Sequence, residues 1–356
     1  MLKSIKTCIL STLMVFLPFS FFSCEDLYED EGNCATTYRI KFVYDMNLKW
    51  ADAFPSEVKS VNLYLFDGNG KFVKEIVVAG KDLSLPGFCI EFTDETIAPG
   101  DYTFVAWCGL INDGVAMQSF TVPQPVVGVT TLEELTCTLN TLSNQFYSEY
   151  ADTMLNFLYH GMLKANLPED NEGLTYEYTI YLTKDTNHIR IVLQELSDDD
   201  MNATDYDVQI VSANGRLAYN NDLLPENPMI TYLPWAQQTT QMELGDDDGT
   251  IKYNYGLVAD LTTSRMMATH QNDFMLTITD KGAQERIIAK VPVIQYALLA
   301  KDYYTMAYNR TMTDQEFLDR EDEYVLTFFL YKNKWIDSYI EINSWRIVLH
   351  DYDLDN

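Results

Sequence analysis

Histidine is scarce in this chain. The four present, His160, His188, His270 and His350, are scattered, with no HExxH and no pair at helical spacing, so the usual zinc chemistry lacks its ligands. Cysteine is as sparse: none of the six falls in a CxxC pair, which leaves thioredoxin-like exchange and zinc ribbons unsupported. There is no GxSxG elbow, no phosphate loop and no GxGxxG, the signatures of acyl transfer, nucleotide hydrolysis and dinucleotide binding. Cations are short too, with 24 Lys and Arg against 53 Asp and Glu. A surface of that sign repels nucleic acid and anionic membrane alike. Long apolar runs are missing with one exception, residues 9–22, broken by Pro18 and shorter than the roughly 20 residues that cross a bilayer.

That exception is informative. Lys3 and Lys6 precede it and Ser23-Cys24 closes it, the layout of a secretory signal peptide over residues 1–23. Phe21 and Phe22 stand where an ordinary cleavage site carries small residues. Phe21-Phe22-Ser23-Cys24 instead resembles a relaxed bacterial lipobox, in which the cysteine thiol is acylated and becomes the new N-terminus; the alternative is a plain thiol after a plain cut. Two or three acyl chains such as palmitate, at about 0.8 kcal/mol per buried methylene, make a stable anchor where one does not. From Cys24 onward 22 basic residues face 53 acidic ones, a net charge of −31, so lipid must hold the chain without electrostatic help. Residues 24–33 then read as a solvated tether, with five acids in the seven residues from Glu25 to Glu31. The run is similar to the acidic export signal of Bacteroidales surface lipoproteins, and a simple charged linker has the same composition.

An apolar share of 47% suffices for packed cores, and 356 residues suggest about two domains. Tyr38, Ile40, Phe42 and Tyr44 alternate with Arg39, Lys41 and Val43, the period of a half-buried strand. Further strands are expected at 58–66, 71–78, around Phe88, Ile90 and Phe92, and at 102–107, with Asp67-Gly68-Asn69-Gly70 turning the second into the third. The second half repeats the style at 174–183, 188–196, 206–212, 251–261, 273–279, 286–293, 324–331 and 339–350, with Asn214-Gly215 read as a hairpin turn. Residues 130–160 lose this regularity and are expected to form a peripheral excursion, partly helical. Thr313-Asp314-Gln315-Glu316 is a capping box that predicts one short helix ending near Arg320. The expected class is all-β, two tandem antiparallel β-sandwiches at 34–166 and 174–356, joined by the polar linker 167–173.

Four cysteines follow the acylation site, Cys34, Cys89, Cys108 and Cys137, and in an exported chain they form one of three disulfide pairings or remain buried free thiols. Asp198-Asp199-Asp200 and Gly245-Asp246-Asp247-Asp248-Gly249 offer oxygen ligands, yet solvated turns have the same composition. Asp67-Gly68-Asn69-Gly70 opens like a calcium loop but lacks glycine at the sixth place and glutamate at the twelfth, so no metal site is assigned. The 24 tyrosines and 18 phenylalanines suit strand cores before sugar binding. Asp152-Thr153-Met154 matches a three-residue O-glycosylation pattern. A glycosidase needs only two placed carboxylates, so missing motifs alone do not exclude catalysis; the expectation is no enzyme and no cofactor beyond covalent lipid.

In order along the chain, several segments resemble the FimB-type minor and anchor subunits of Bacteroidales fimbriae. They are the lipobox at Cys24, Cys34 with 38–44, Ala51-Asp52-Ala53-Phe54 before 61–67, 99–107, Phe317-Leu318-Asp319-Arg320 with 324–330, and Ile340-Glu341-Ile342-Asn343-Ser344-Trp345. The resemblance spans nearly the whole mature chain. It implies two transthyretin-like sandwiches and a lipidated, non-enzymatic subunit on the cell surface, held in the outer membrane by acyl chains at the base of a fimbrium. Stalk subunits of such fimbriae lose a first strand after an arginine and accept a partner's strand instead. Arg39 lies inside the expected first strand, so that strand is expected to stay, which suits a subunit that roots or ends a polymer. Partners would be stalk subunits, met by strand addition at the terminal strand through Ile340, Ile342, Trp345, Ile347 and Leu349, whose alternative role is an ordinary edge or core strand. The competing function is a glycan-binding surface lipoprotein of a nutrient-uptake system. Cys24→Ala should abolish acylation and either release the chain or leave its signal uncut; labelled palmitate with membrane fractionation reads this, and a processed mutant that stays in the membrane contradicts it.

Overall fold

The structure is a computed structural model that describes residues 35–111, 118–169, 173–197, 199–245, 251–282, 285–342 and 345–349. The first half supplies β1 (Thr37–Val43), a single helical turn α1 (Phe54–Glu57), β2 (Ser60–Asp67), β3 (Phe72–Ala79), β4 (Cys89–Thr93) and β5 (Gly100–Cys108). Three short strands follow, β6 (Phe120–Thr121), β7 (Thr136–Leu139) and β8 (Tyr150–Ala151). Then come β9 (Tyr159–Leu167), β10 (Thr175–Tyr181), β11 (Thr183–Lys184), β12 (Thr186–Glu195), β13 (Tyr206–Ser212), β14 (Arg216–Ala218) and β15 (Ile230–Tyr232). The remainder is β16 (Ala236–Gly245), β17 (Ile251–Ser264), β18 (Met275–Asp280), β19 (Arg286–Pro292), helices α2 (Val293–Leu299), α3 (Lys301–Tyr308) and α4 (Asp314–Arg320), and β20 (Glu323–Tyr331), β21 (Lys334–Ile342) and β22 (Trp345–Leu349).

These strands make two sandwiches. In the first, the sheet β10-β1-β4 faces the sheet β11-β9-β5-β2-β3; in the second, β16-β17-β12-β20-β21-β22 faces β19-β18-β13-β15-β8. A third small sheet, β14-β7-β6, joins residues from both halves. In β1 the alternation works as expected: Tyr38, Ile40 and Phe42 enter the core while Arg39 and Lys41 face outward. In β2 alternation gives way to burial of both faces, since Val61, Leu63 and Leu65 pack in the first sandwich while Tyr64 and Phe66 belong to a second apolar cluster. Neighbouring β5 divides the same way, with Phe104, Ala106 and Cys108 on one side and Val105 and Trp107 on the other. A sheet apolar on both faces needs a cover on each.

The second cover is the excursion. Phe120, Leu132, Leu135, Leu139, Leu155 and Leu158 lie against Trp107, and the same cluster continues into Ile191, Leu257, Leu326 and Phe328 of the second sandwich. Residues 130–160 are therefore central, and mostly irregular between short strands. A capping box on Thr131 and Glu134 opens one 3-10 turn, while β7 pairs with β14 and β8 runs parallel to β15. At Gly109, φ +88°, a Cβ would lie 1.9 Å from the Phe157 carbonyl oxygen, so the start and the end of the excursion close on a residue with no side chain.

Three expectations change. The polar stretch 167–173 joins β9 to β10, both strands of the first sandwich, and β10 runs parallel to β1; the chain crosses to the second sandwich at Asp185, between β11 and β12. A polar turn marks the end of a strand but not a change of sheet. Asn214-Gly215 makes no hairpin, because neither residue takes the positive φ that the tight turn requires. The chain there leaves one sheet for another: β13 pairs with β15 and β18, while β14 pairs with β7. Gly215 is needed for space, since a Cβ would meet Ile230 Cδ1 at 2.2 Å. The expected strand 339–350 is a hairpin in which Ile342 faces Trp345. The helix on the Thr313 capping box forms, with Glu316 N donating to Thr313 Oγ1 at 3.0 Å, while α2 and α3 carried no comparable start signal.

Trp107 is fully buried where the two clusters are separated only by the sheet. Trp107→Ala should cost about 3–5 kcal/mol by leaving a cavity. Urea unfolding should show a lower midpoint at unchanged slope; a midpoint within error of the parent would show that the excursion does not pack there.

Candidate functional site

A strand-built body offers its backbone edges and termini as sites, so the placement of the first and last strands comes first. β1 is the middle strand of its sheet, paired with β10 over Thr37↔Thr175 to Val43↔Tyr181 and with β4 over Thr37↔Thr93 to Lys41↔Cys89. Thr36 N donates to Asp94 Oδ2 at 3.1 Å and the Tyr38 hydroxyl donates to Pro168 O at 2.7 Å, which ties down the strand's start. Burial pushes the Tyr38 hydroxyl up to about 12, so it stays a donor. Arg39 pairs with Glu91 and Lys41 with Glu177, each at 2.7 Å and half exposed, where water and salt screen the attraction. What retains β1 is its two ladders and the burial of Tyr38, Ile40 and Phe42.

At the far end of β1 the two sandwiches meet in a polar seam that the sequence reading missed. Trp50, held at φ 54°, is flanked by the guanidinium groups of Arg310 at 4.0 Å and Arg320 at 3.6 Å. Arg320 also donates to Asp45 O at 3.0 Å, so the end of α4 grips the loop after β1. Lys184 is buried, bonded to Asp322 and lying 3.5 Å from Glu57 and 3.8 Å over the Phe157 ring. A cavity of about 410 Å³ opens beside it, lined by Asp52, Glu57, Lys184, Glu321 and Asp322 among others.

At the crossing itself Arg265 holds Asp319 with both Nη2 contacts at 2.8 Å and donates to the Asn221 carbonyl. Asp185 is fully buried, accepting from Asn221 Nδ2 at 2.8 Å, with Arg265 Nε 3.7 Å from Oδ1 and no partner for Oδ2 among the described residues. Burial raises its carboxyl to about 7, even though Arg265 and Asn221 pull the other way. Glu321 is pushed up to about 8, again by burial first, opposed by the Glu323 N–H and helped by Asp322.

The last strand lies at an edge. β20 and β21 form a hairpin on Lys332 and Asn333, at φ 53° and 58°, whose N–H groups donate to Glu195 at 3.0 and 2.9 Å. Asn-Gly usually makes such a turn, and here the Glu195 carboxylate supports a Lys-Asn version. Ile340 and Ile342 are buried in β21, which is paired on both sides, so they are core residues. Trp345, Ile347 and Leu349 lie in β22, whose outer backbone edge faces no strand among the described residues. β12 and β20 both run away from the seam and β21 returns, so β22 again runs away from the seam, as β1 traced back to Thr36 does in the first sandwich.

Cys24 and Cys34 lie outside the described residues. Cys89 is half-buried, Cys108 and Cys137 are buried, and all three are free thiols, the second of the two alternatives the sequence left open. Burial raises the Cys108 and Cys137 thiols well above their ordinary range, which keeps them unreactive. Among the described residues no group of three or more His, Cys, Asp or Glu is arranged to hold a metal, and no helix is long and apolar enough to cross a membrane. Asp198 and the run 246–250 lie outside the described residues. Thr153 is exposed.

Comparison with known proteins follows this geometry. Residues 30–351 match the family model described as fimbrillin-A associated anchor proteins Mfa1 and Mfa2. Among solved structures, a candidate adhesin from Bacteroides thetaiotaomicron is 31% identical, covering 89% of this chain and 99% of that one with a TM-score of 0.73. A candidate polysaccharide-binding protein from the same species is 27% identical over 89% of this chain and 99% of that one, TM-score 0.70. The fimbrial anchor protein Mfa2 from Porphyromonas gingivalis, 16% identical, shares the fold over 89% of this chain and 100% of that one, TM-score 0.60. No curated protein matches the chain.

The seam makes stability depend on pH. Asp185 and Glu321 have folded values above their unfolded ones, so the folded state binds the extra protons and stability falls as pH rises through about 7 and 8. His160, lowered by burial to about 3, opposes this only below its unfolded value near 6.5. Asp260, held below its ordinary range, acts only in acid. Between pH 6.5 and 8 the net loss should be about 1–2 kcal/mol. Urea midpoints across that range read it, and Asp185→Asn should flatten the slope; a midpoint that rises with pH contradicts the assignment.

Proposed function

Because the chain belongs to the family of fimbrillin-A associated anchor proteins Mfa1 and Mfa2, we propose that it is a lipid-anchored surface subunit that roots a fimbrium in the outer membrane. The acyl chains on Cys24 hold one pole, the acidic tether spaces the body from lipid, and the opposite pole meets the stalk. Its role is mechanical and involves no catalysis.

The observation that carries this reading is the contrast between first and last strands. β1 is the central strand of its sheet and its side chains fill the core, so no groove awaits an incoming strand there. β22 offers an edge. Strand addition there supplies affinity through backbone hydrogen bonds and would place the stalk subunit far from the membrane end. This chain thus accepts one neighbour, which fits a terminal position in a polymer.

The register shows which groups would serve. Leu330 O and Asp322 O accept from the β12 side, so the even residues of β20 bond β12 and the odd ones bond Glu341, Tyr339 and Asp337 of β21. That leaves Ile342, Ile340 and Ser338 to exchange hydrogen bonds with Trp345, Ile347 and Leu349. The N–H groups of Arg346 and Val348 therefore point away from β21. Val348→Pro removes an outward donor and spares the hairpin's own bonds. Affinity capture of the chain from detergent-solubilised envelopes should recover stalk subunits, and Val348→Pro should cut recovery at least tenfold while the protein stays folded and acylated. Recovery unchanged in the variant would move the docking edge elsewhere; no fimbrial subunit recovered with the parent chain would overturn the anchor reading.

A further inference from the structure

The outer face of the six-stranded sheet carries a cluster that anchoring does not use. Trp235 enters β16 behind Pro234 and is fixed by its N–H donation to Asp260 O at 3.0 Å, yet it remains 37% exposed. The His188 ring lies beside it, centroids 6.2 Å apart and planes 34° from parallel. His188 Nε2 is 3.1 Å from Asp260 Oδ1, and Arg190 donates to both oxygens of that carboxylate, Nε at 2.8 Å and Nη2 at 3.1 Å. Burial alone would raise the Asp260 carboxyl; Arg190 and then His188 keep it below its ordinary range. Thr262 stands on the same face as Asp260 and directly across from His188, 4% exposed, with a hydroxyl that makes no hydrogen bond among the described residues.

Three properties combine here. An indole face is exposed on a rigid strand entry. A donor is aimed in advance, because the fork on Asp260 through Nε and Nη2 fixes the guanidinium, whose Nη1 makes no hydrogen bond among the described residues. The charge is spent, since Asp260 neutralises Arg190 and Glu323 lies across from His188 on β20. An apolar platform with a few fixed polar groups is the usual make-up of a small-ligand site.

The geometry points to a carbohydrate-binding platform on Trp235, His188 and Arg190 that takes a neutral pyranose-containing glycan. The C–H face of the sugar ring lies on the indole, and its hydroxyls meet the guanidinium and the imidazole. Uronic and sulfated sugars are disfavoured, because the local cation is already paired and the body is strongly acidic. This inference stands apart from the anchor reading and neither depends on the other.

The test is affinity electrophoresis of the chain from residue 25 onward in gels holding laminarin, yeast mannan, pullulan or alginate. At least one neutral polysaccharide should retard it, with retardation surviving 0.5 M NaCl. Trp235→Ala should abolish that retardation, Trp235→Phe should keep part of it, and Arg190→Ala should weaken it at least fivefold, all with melting temperatures near the parent. Absence of retardation by every neutral polysaccharide, retardation by alginate alone, or full retardation of Trp235→Ala would each overturn the proposal.

Discussion

One constraint organises the molecule: β2 and β5 are apolar on both faces. A sheet of that kind cannot stop at a two-layer sandwich, because leaving Tyr64, Phe66, Val105 and Trp107 in water would forfeit about 1.5–3 kcal/mol for each side chain. The chain answers by laying residues 118–158 over the second face. Once there, β7 and β8 have free edges of their own, which β14, from the second half of the chain, and β15 of the second sandwich occupy. The apolar contacts follow the same route, so one hydrophobic cluster runs from the first sheet through the excursion into the second sandwich.

The polar seam has a different task. Buried ion pairs such as Arg265 with Asp319 are weak sources of net stability, since desolvation offsets their attraction, but they strongly penalise any other register. Trp50 between two guanidinium groups and Arg320 on the Asp45 carbonyl likewise fix how the loop after β1 meets α4. Cohesion thus comes from the apolar bridge and alignment from the seam. A subunit that roots a polymer in a membrane, the role proposed above, would need both properties.

Local patterns revealed strands well and their partners poorly. The alternation of Tyr38, Ile40 and Phe42, the Asp67-Gly68-Asn69-Gly70 turn and the helix start at Thr313 are governed by neighbours within a few residues, and all three form, the last with Thr313 Oγ1 accepting from Glu316 N while the Glu316 carboxylate accepts from Arg320. The parallel pairing of β10 with β1 joins residues about 138 positions apart, and no local signal distinguishes it from a strand of the next domain. The unbroken run Val61, Asn62, Leu63, Tyr64, Leu65 and Phe66 was the available clue that β2 is covered twice, because alternation fails when both faces are buried. The seam was illegible for a related reason. Asp185, Arg265 and Asp319 look like ordinary surface charges until the fold brings them together. Asn214-Gly215 misled because its composition fits a hairpin while its position demands space.

The account stands on the two sandwiches carrying load as one unit. Pulling a single molecule between residue 25 and residue 349 tests this directly. The prediction is that the first rupture releases both sandwiches together, about 315 residues or roughly 110 nm of contour at about 3.5 Å per residue. A first release of roughly half that length, with the other sandwich still folded, would contradict it.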